Sequence, residues 1–189
     1  ANIYQLQLPK TVTVFASNTG SNGLYSIGDT LYTMSHDTQS LSRLLPPSTK
    51  RQVIVNQYRG KRFNSPNDIA VHRNGTIYFT DPDWQLGERQ SESQITGVYS
   101  VDTHHNVTLI DKSLTKPNGI ALSPNQKKLY IGDHNNQVGI YDVDNNGHVG
   151  NRMNFINVQS PDGITVDCAG NLYIASHTAG KIEIYTPTG

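Results

Sequence analysis

The chain has 189 residues, enough for one ordinary domain with a real core, and its 15 Lys and Arg balance 15 Asp and Glu to a formal net charge of zero. That balance supplies no basic field for nucleic acid and no acidic run for a charged partner, and no apolar stretch is long enough to span a membrane. One cysteine, Cys168, excludes an intramolecular disulfide and a thiolate zinc cluster within the chain, and it reads as a small buried residue.

The opening Ala-Asn-Ile-Tyr has no basic stretch followed by an apolar one, so a soluble protein is expected, either cytoplasmic or secreted or periplasmic. Ile3-Tyr-Gln-Leu-Gln-Leu and Val12-Thr-Val-Phe read as two outer strands of a unit whose inner strands are missing. A repeat follows. Ser21-Asn-Gly-Leu-Tyr, Pro66-Asn-Asp-Ile-Ala-Val, Pro117-Asn-Gly-Ile-Ala-Leu and Pro161-Asp-Gly-Ile-Thr-Val each open a strand. From Asn22 to Asn67, Asn118 and Asp162 the spacings are 45, 51 and 44 residues. A period of roughly 40–50 residues with several short strands per unit is that of β-propeller blades.

Each unit continues in the same way. Turns such as Arg73-Asn-Gly and Cys168-Ala-Gly-Asn reverse the chain, with Gly and Asx supplying positive φ. A second strand carries Leu31-Tyr32, Ile77-Tyr78, Leu129-Tyr130 or Leu172-Tyr173, a Tyr column expected to pack between neighbouring blades. A third strand reads Ser42-Arg-Leu-Leu, Gly97-Val-Tyr-Ser-Val, Val138-Gly-Ile-Tyr-Asp or Ile182-Glu-Ile-Tyr, and a fourth is visible in Val53-Ile-Val, Val107-Thr-Leu-Ile and Met153-Asn-Phe-Ile. No window carries a helical stripe. The expected fold is all-β: a single propeller domain with a partial blade over 1–19 and blades over 20–60, 61–113, 114–158 and 159–189.

Residues just before the first strand of a blade face the propeller axis. Asn22, Asn67, Asn118 and Asp162 hold that place, so amide oxygens and one carboxylate converge. An all-oxygen set suits a hard divalent cation, Ca²⁺ first, with Mg²⁺, Mn²⁺ or Zn²⁺ as alternatives. Proline before Asn67, Asn118 and Asp162 stiffens those loops. The competing reading is that Pro-Asx-Gly is turn chemistry repeating with the blade. A second column at the end of the second strands reads Ser35-His36, Asp81-Pro82, Asp133-His134 and Ser176-His177. Antiparallel pairing places it at the same mouth, where His36, His134 and His177 either support the site or tether blades. His104, His105 and His148 fall in polar turns and read as exposed. The long connection from Pro82 to Thr96 holds the only Trp; Trp84, Glu88, Arg89 and Glu92 are its candidates for lining or covering a pocket.

Arg62-Phe-Asn-Ser-Pro-Asn-Asp-Ile-Ala-Val with Tyr78-Phe-Thr-Asp-Pro, Lys116-Pro-Asn-Gly-Ile-Ala-Leu-Ser-Pro, and Ser160-Pro-Asp-Gly-Ile-Thr-Val-Asp-Cys-Ala-Gly-Asn-Leu-Tyr resemble the family of senescence marker protein, gluconolactonase and luciferin-regenerating enzyme. Diisopropyl fluorophosphatase is similar at greater distance. The resemblance implies a six-bladed propeller that hydrolyses sugar lactones or related esters with a divalent metal. It implies that Asn118 and Asp162 are metal ligands, that Asn67 binds metal or substrate, and that Asp162 also serves as general base. It makes the Trp84–Glu92 loop the variable substrate loop, with Trp84, Glu88, Glu92, His134 and His177 around the pocket. Two departures stand out. Ser65 occupies the place of a substrate-binding Arg in some animal members. The first-blade Glu ligand is absent, because the acidic residues before position 81 are Asp29, Asp37 and Asp68, and the first Glu is Glu88.

The sequence therefore reads as the middle of such an enzyme with roughly a third of the ring gone: a fragment, a short relative or one part of an assembly. A small-molecule lactone or ester is the expected partner. The rival reading is a noncatalytic scaffold or binding module with an incomplete site. An open arc would expose apolar positions near Leu6, Leu8 and Val14 at one end and Ile182, Ile184 and Tyr185 at the other. Two outcomes are expected of such edges: self-association, or tightening into a closed four-bladed ring.

Overall fold

The computed structural model describes residues 1–189, and every regular element is a strand. β1 (Ile3–Gln7) and β2 (Thr11–Ala16) form an antiparallel ribbon. The first four-stranded meander is β3 (Ser21–Ile27), β4 (Thr30–Ser35), β5 (Ser40–Leu44) and β6 (Gln52–Val55). A two-residue hairpin follows, β7 (Gln57–Tyr58) and β8 (Lys61–Arg62), turned by Arg59 and Gly60 at φ 50° and 76°. Positive φ at both central residues matches the right-handed twist of the flanking strands, although the sequence periodicity did not mark this hairpin.

The second blade is β9 (Ile69–Val71), β10 (Ile77–Asp81), β11 (Gly97–Val101) and β12 (Val107–Asp111). The third is β13 (Pro117–Leu122), β14 (Lys128–Asp133), β15 (Gln137–Val143) and β16 (Val149–Asn157). The fourth has three strands, β17 (Pro161–Val166), β18 (Leu172–Ser176) and β19 (Lys181–Tyr185). All pairings are antiparallel, and the inner strands follow one another around an axis in the order β3, β9, β13, β17.

The core lies between blades. Met34, Leu41, Phe63, Phe79 and Tyr99 fill the first interface, Tyr78, Leu129, Ile131 and Tyr141 the second, and Tyr130, Val138, Leu172 and Ile174 the third. The Tyr column packs as expected: Tyr78 and Tyr130 are buried, and the Tyr78 hydroxyl donates to the Gly147 carbonyl of the next blade at 2.7 Å. Tyr32 and Tyr173, on the end blades, are only partly buried.

Close approach of inner strands explains the glycines after the Asx column. A Cβ at Gly23 would meet the backbone of Asn67 and Asp68, both at 2.7 Å, and one at Gly119 would meet the backbone of Asp162 and Ile164. At Gly163 the same Cβ would meet nothing within 4 Å. Nothing packs against Gly163 or covers Ile182 and Ile184 on the outer face of the fourth blade, so the four blades form an open arc here and not a closed four-bladed ring. Leu6 (60% exposed) and Leu8 (81%) mark one bare end, and Ile182 and Ile184 (each 61%) the other. Cys168 is exposed, against expectation, because it sits in the tight turn between β17 and β18, held by Asp167 outside every interface. No helix is long and apolar enough to cross a membrane.

Candidate functional site

The Asx residues reach the axis through a local irregularity. Ser21 pairs with Ser35 but Leu24 with Thr33, Pro117 with Asp133 but Ile120 with Ile131, and Pro161 with Ser176 but Ile164 with Ile174. Each shift inserts one extra residue at the Asx-Gly pair, a bulge that re-aims the side chain beside it. Blade two instead begins its strand after Asn67 and Asp68.

The consequence is one cavity of about 340 Å³ at the channel mouth, lined by Asn22, Asn67, Trp84, Gln85, Asn118, His134, Ser160, Asp162 and His177. Asn118 Nδ2 donates to Asp162 Oδ1 at 2.9 Å, and His177 Nδ1 lies 4.0 Å from Asp162 Oδ2. The rings of Trp84 and His134 meet edge to face, with centroids 5.7 Å apart. Asn67 is only 5% exposed, yet its side-chain amide bonds to no protein group. That amide opens onto the cavity, where solvent or a bound ligand can reach it.

The structure thus brings together Asn67, Asn118, Asp162, Trp84, His134 and His177. Glu88 and Glu92 lie outside the lining and are exposed. Glu92 Oε2 instead accepts from the Arg62 amide at 3.1 Å. The loop they occupy is tied down. Arg89 Nη2 donates to the carbonyls of His36 and Gln85 at 3.0 and 2.7 Å, and Ser91 Oγ to Asn64 Oδ1 at 2.6 Å. Ser65 is fully buried and donates to the Pro82 carbonyl at 2.6 Å, so it anchors this loop from below. Gln85 and Ser160 line the cavity and were not singled out in the sequence. The Gln85 Oε1 atom is buried without a partner. Adjacency to Trp84 was the one available signal for it.

The second column divides by role. His134 and His177 reach the cavity; His36 does not, and burial lowers its pKa. Asp81 accepts the amides of Asn64 and Ser65, both at 2.9 Å, and Asp133 those of Thr115 and Lys116 at 3.0 and 2.7 Å. These carboxylates fix the loops that deliver Asn67 and Asn118. Burial pushes Asp81 up to about 8, outweighing those two amides. Asp68 is pushed up to about 6, first by burial, with the charge of Asp162 adding to it.

A divalent cation fits the donors present. They are oxygens from Asn22, Asn67, Asn118 and Asp162, one of them in a carboxylate, and the Asn67 amide faces the cavity without a protein hydrogen bond. No three His, Cys, Asp or Glu side chains stand together as a metal-ligand group, here or elsewhere in the structure, so the donors at this site are mostly amides.

Comparison with known proteins places this geometry in a family. The chain is 32% identical over 188 residues to the gluconolactonase of Zymomonas mobilis, covering 90% of this chain and 52% of that protein. The solved gluconolactonase of Xanthomonas campestris superposes with a TM-score of 0.87 at 25% identity, covering all of this chain and 66% of that one. The calcium-binding regucalcin of Agrobacterium tumefaciens superposes at 0.75 with 21% identity, over 95% of this chain and 61% of that one. The chain therefore spans about half the length of that curated relative and 66% and 61% of the two solved ones. The sequence profile of the SMP-30/gluconolactonase/LRE-like region matches residues 2–189, and the chain belongs to that family.

Proposed function

We propose that this chain carries the metal-binding and substrate-binding face of a lactone hydrolase, with Asn67, Asn118 and Asp162 as its centre. The observation that carries this reading is the convergence of three successive blades on one cavity, which the Asn67 amide faces free of protein hydrogen bonds. Membership in a family whose relatives include gluconolactonases supports the reaction class.

Asn67, Asn118 and Asp162 would hold a divalent cation, Ca²⁺ by preference for their oxygen donors, and when bound it would supply Lewis-acid polarisation of an ester carbonyl. Asp162 Oδ1 is oriented by the Asn118 amide, which leaves Oδ2 free of protein donors within hydrogen-bond distance. That oxygen takes the proton of the attacking water as general base. Asn67 orients the lactone through its free amide. Trp84 is the single apolar lining residue; Gln85, His134, Ser160 and His177 offer donors and acceptors. Such a lining favours a small, hydroxylated lactone over an apolar ester.

A second reading, ligand binding without turnover, is favoured by one observation: Asp162 is the only carboxylate in the lining. A pH-stat screen of aldonolactones with Ca²⁺, repeated with chelator and with Asp162→Asn, separates the two. Hydrolysis lost in both repeats supports the enzyme. Ca²⁺ binding without hydrolysis supports the binding module. Parent-like hydrolysis by Asp162→Asn refutes the assignment of Asp162. Because Asp162 is half exposed, its amide variant should unfold within about 0.5 kcal/mol of the parent.

A further inference from the structure

The four blades share a backbone plan, but the interface between the second and third differs from the others at two positions. After the Asx residue stand Gly23, Asp68, Gly119 and Gly163, so only blade two places a side chain there. One residue before the end of the second strand stand Met34, Thr80, Gly132 and Ala175, so only blade two places a hydroxyl there.

The two side chains grip the adjacent peptides on either side of Gly119 in the next blade. Thr80 Oγ1 donates to the Asn118 carbonyl at 2.7 Å and accepts from the Asp68 amide at 3.1 Å. Asp68 Oδ2 accepts from the Ile120 amide at 3.1 Å, while Oδ1 is held by the Ile69 amide at 2.9 Å. The Asn118–Gly119–Ile120 bulge is therefore fastened on both sides. A bulge is a break in the strand ladder, and its direction is free unless something fixes it. Here the fixed direction is the one that sends Asn118 Nδ2 to Asp162 Oδ1.

We propose that Asp68 and Thr80 are positioning residues that set the direction of the Asn118 bulge and thereby orient the Asn118–Asp162 pair. Its catalytic consequence rests on the lactone-hydrolase reading; its geometric content does not. If the pair existed only to join blades, the same device would be expected at the other two interfaces, which instead carry Met34 and Gly132 there. The second interface is also joined elsewhere, by the Tyr78 hydroxyl and a large apolar cluster, so it does not need this grip to hold together.

The test uses the full ¹⁵N-labelled chain and four variants: Thr80→Val, which keeps shape and loses the hydroxyl; Thr80→Ser, which keeps the hydroxyl; Asp68→Ala; and Tyr78→Phe, which loosens the same interface away from the cavity. The first readout is the side-chain amide resonance of Asn118, identified by its loss in Asn118→Asp, together with its hydrogen-exchange rate. Thr80→Val and Asp68→Ala should move that resonance and speed its exchange, and weaken Ca²⁺ binding by about 10–100-fold, as loss of outer supports does in metal sites. With a hydrolysed lactone the loss should fall on kcat more than on KM. Thr80→Ser should restore the parent behaviour, and Tyr78→Phe should lower the melting temperature without moving the Asn118 resonance. The inference is overturned if Thr80→Val and Asp68→Ala lower the melting temperature while the Asn118 resonance stays as in the parent. A parent that neither binds Ca²⁺ nor hydrolyses lactones refutes the proposed function, and the resonance still decides the positioning role.

Discussion

Replacing Gly119 by alanine perturbs the fold and the site at one atom. The added Cβ would press on the Asp162 carbonyl oxygen well inside contact distance, and would lie 2.8 Å from Ile164 N and 3.0 Å from Ile164 Cγ1. Both targets belong to β17, a strand of the next blade, so relief requires that β13 and β17 separate. Overpacking of this kind costs roughly 1–3 kcal/mol. At about 2–4 °C per kcal/mol for a chain of this size, the melting temperature should fall by roughly 2–12 °C. The displacement lands on the residue that carries the proposed base, where a shift of about 1 Å costs on the order of 100-fold in rate. Gly163→Ala is the matched control. It sits at the same point of the next blade, meets nothing within 4 Å, and lies in a strand, where alanine is favoured over glycine by roughly 0.5–1 kcal/mol. Thermal melts of parent, Gly119→Ala and Gly163→Ala at one concentration decide the matter. Equal melting temperatures for the two variants would refute the close approach of β13 and β17.

Two further outcomes follow from burial. Asp81 keeps its proton in the fold up to about pH 8, whereas the unfolded chain releases it near the ordinary carboxylate range, so its contribution to stability is present at low pH and is lost as pH rises through that window. Urea midpoints should fall between pH 5 and pH 8, and Asp81→Asn should flatten that fall; a parent midpoint that rises with pH contradicts the shift. The 189-residue chain, with apolar side chains bare at both ends of its arc, should sediment at micromolar concentration as a dimer or larger species. A monomer under those conditions contradicts that expectation.

The blades were legible because a propeller writes its period into the chain: Asx before the first strand and Leu/Ile-Tyr in the second recur on every blade. What period alone cannot show is which bond a side chain makes once its blade is stacked on the next. Asp81 and Asp133 looked like candidates for the mouth and instead cap incoming loops with their carboxylates. Glu88 and Glu92 looked like pocket residues because their loop leaves from the mouth side, but Arg89 and Ser91 fasten that loop so that only Trp84 and Gln85 face the cavity. Asp68 was legible only as a departure from Gly, and its meaning depends on Ile120, 52 residues away. The β7–β8 hairpin carries no repeat at all, only a positive-φ Arg-Gly pair.

The central claim is that Asn67, Asn118 and Asp162 together hold a divalent cation at the mouth of the arc. A crystal structure of the chain grown with saturating Ca²⁺ tests it most directly. The account predicts one ion in the cavity, with side-chain oxygens of all three residues about 2.3–2.6 Å from it. A cavity without an ion, or an ion bound elsewhere while these three side chains point away from one another, would contradict it.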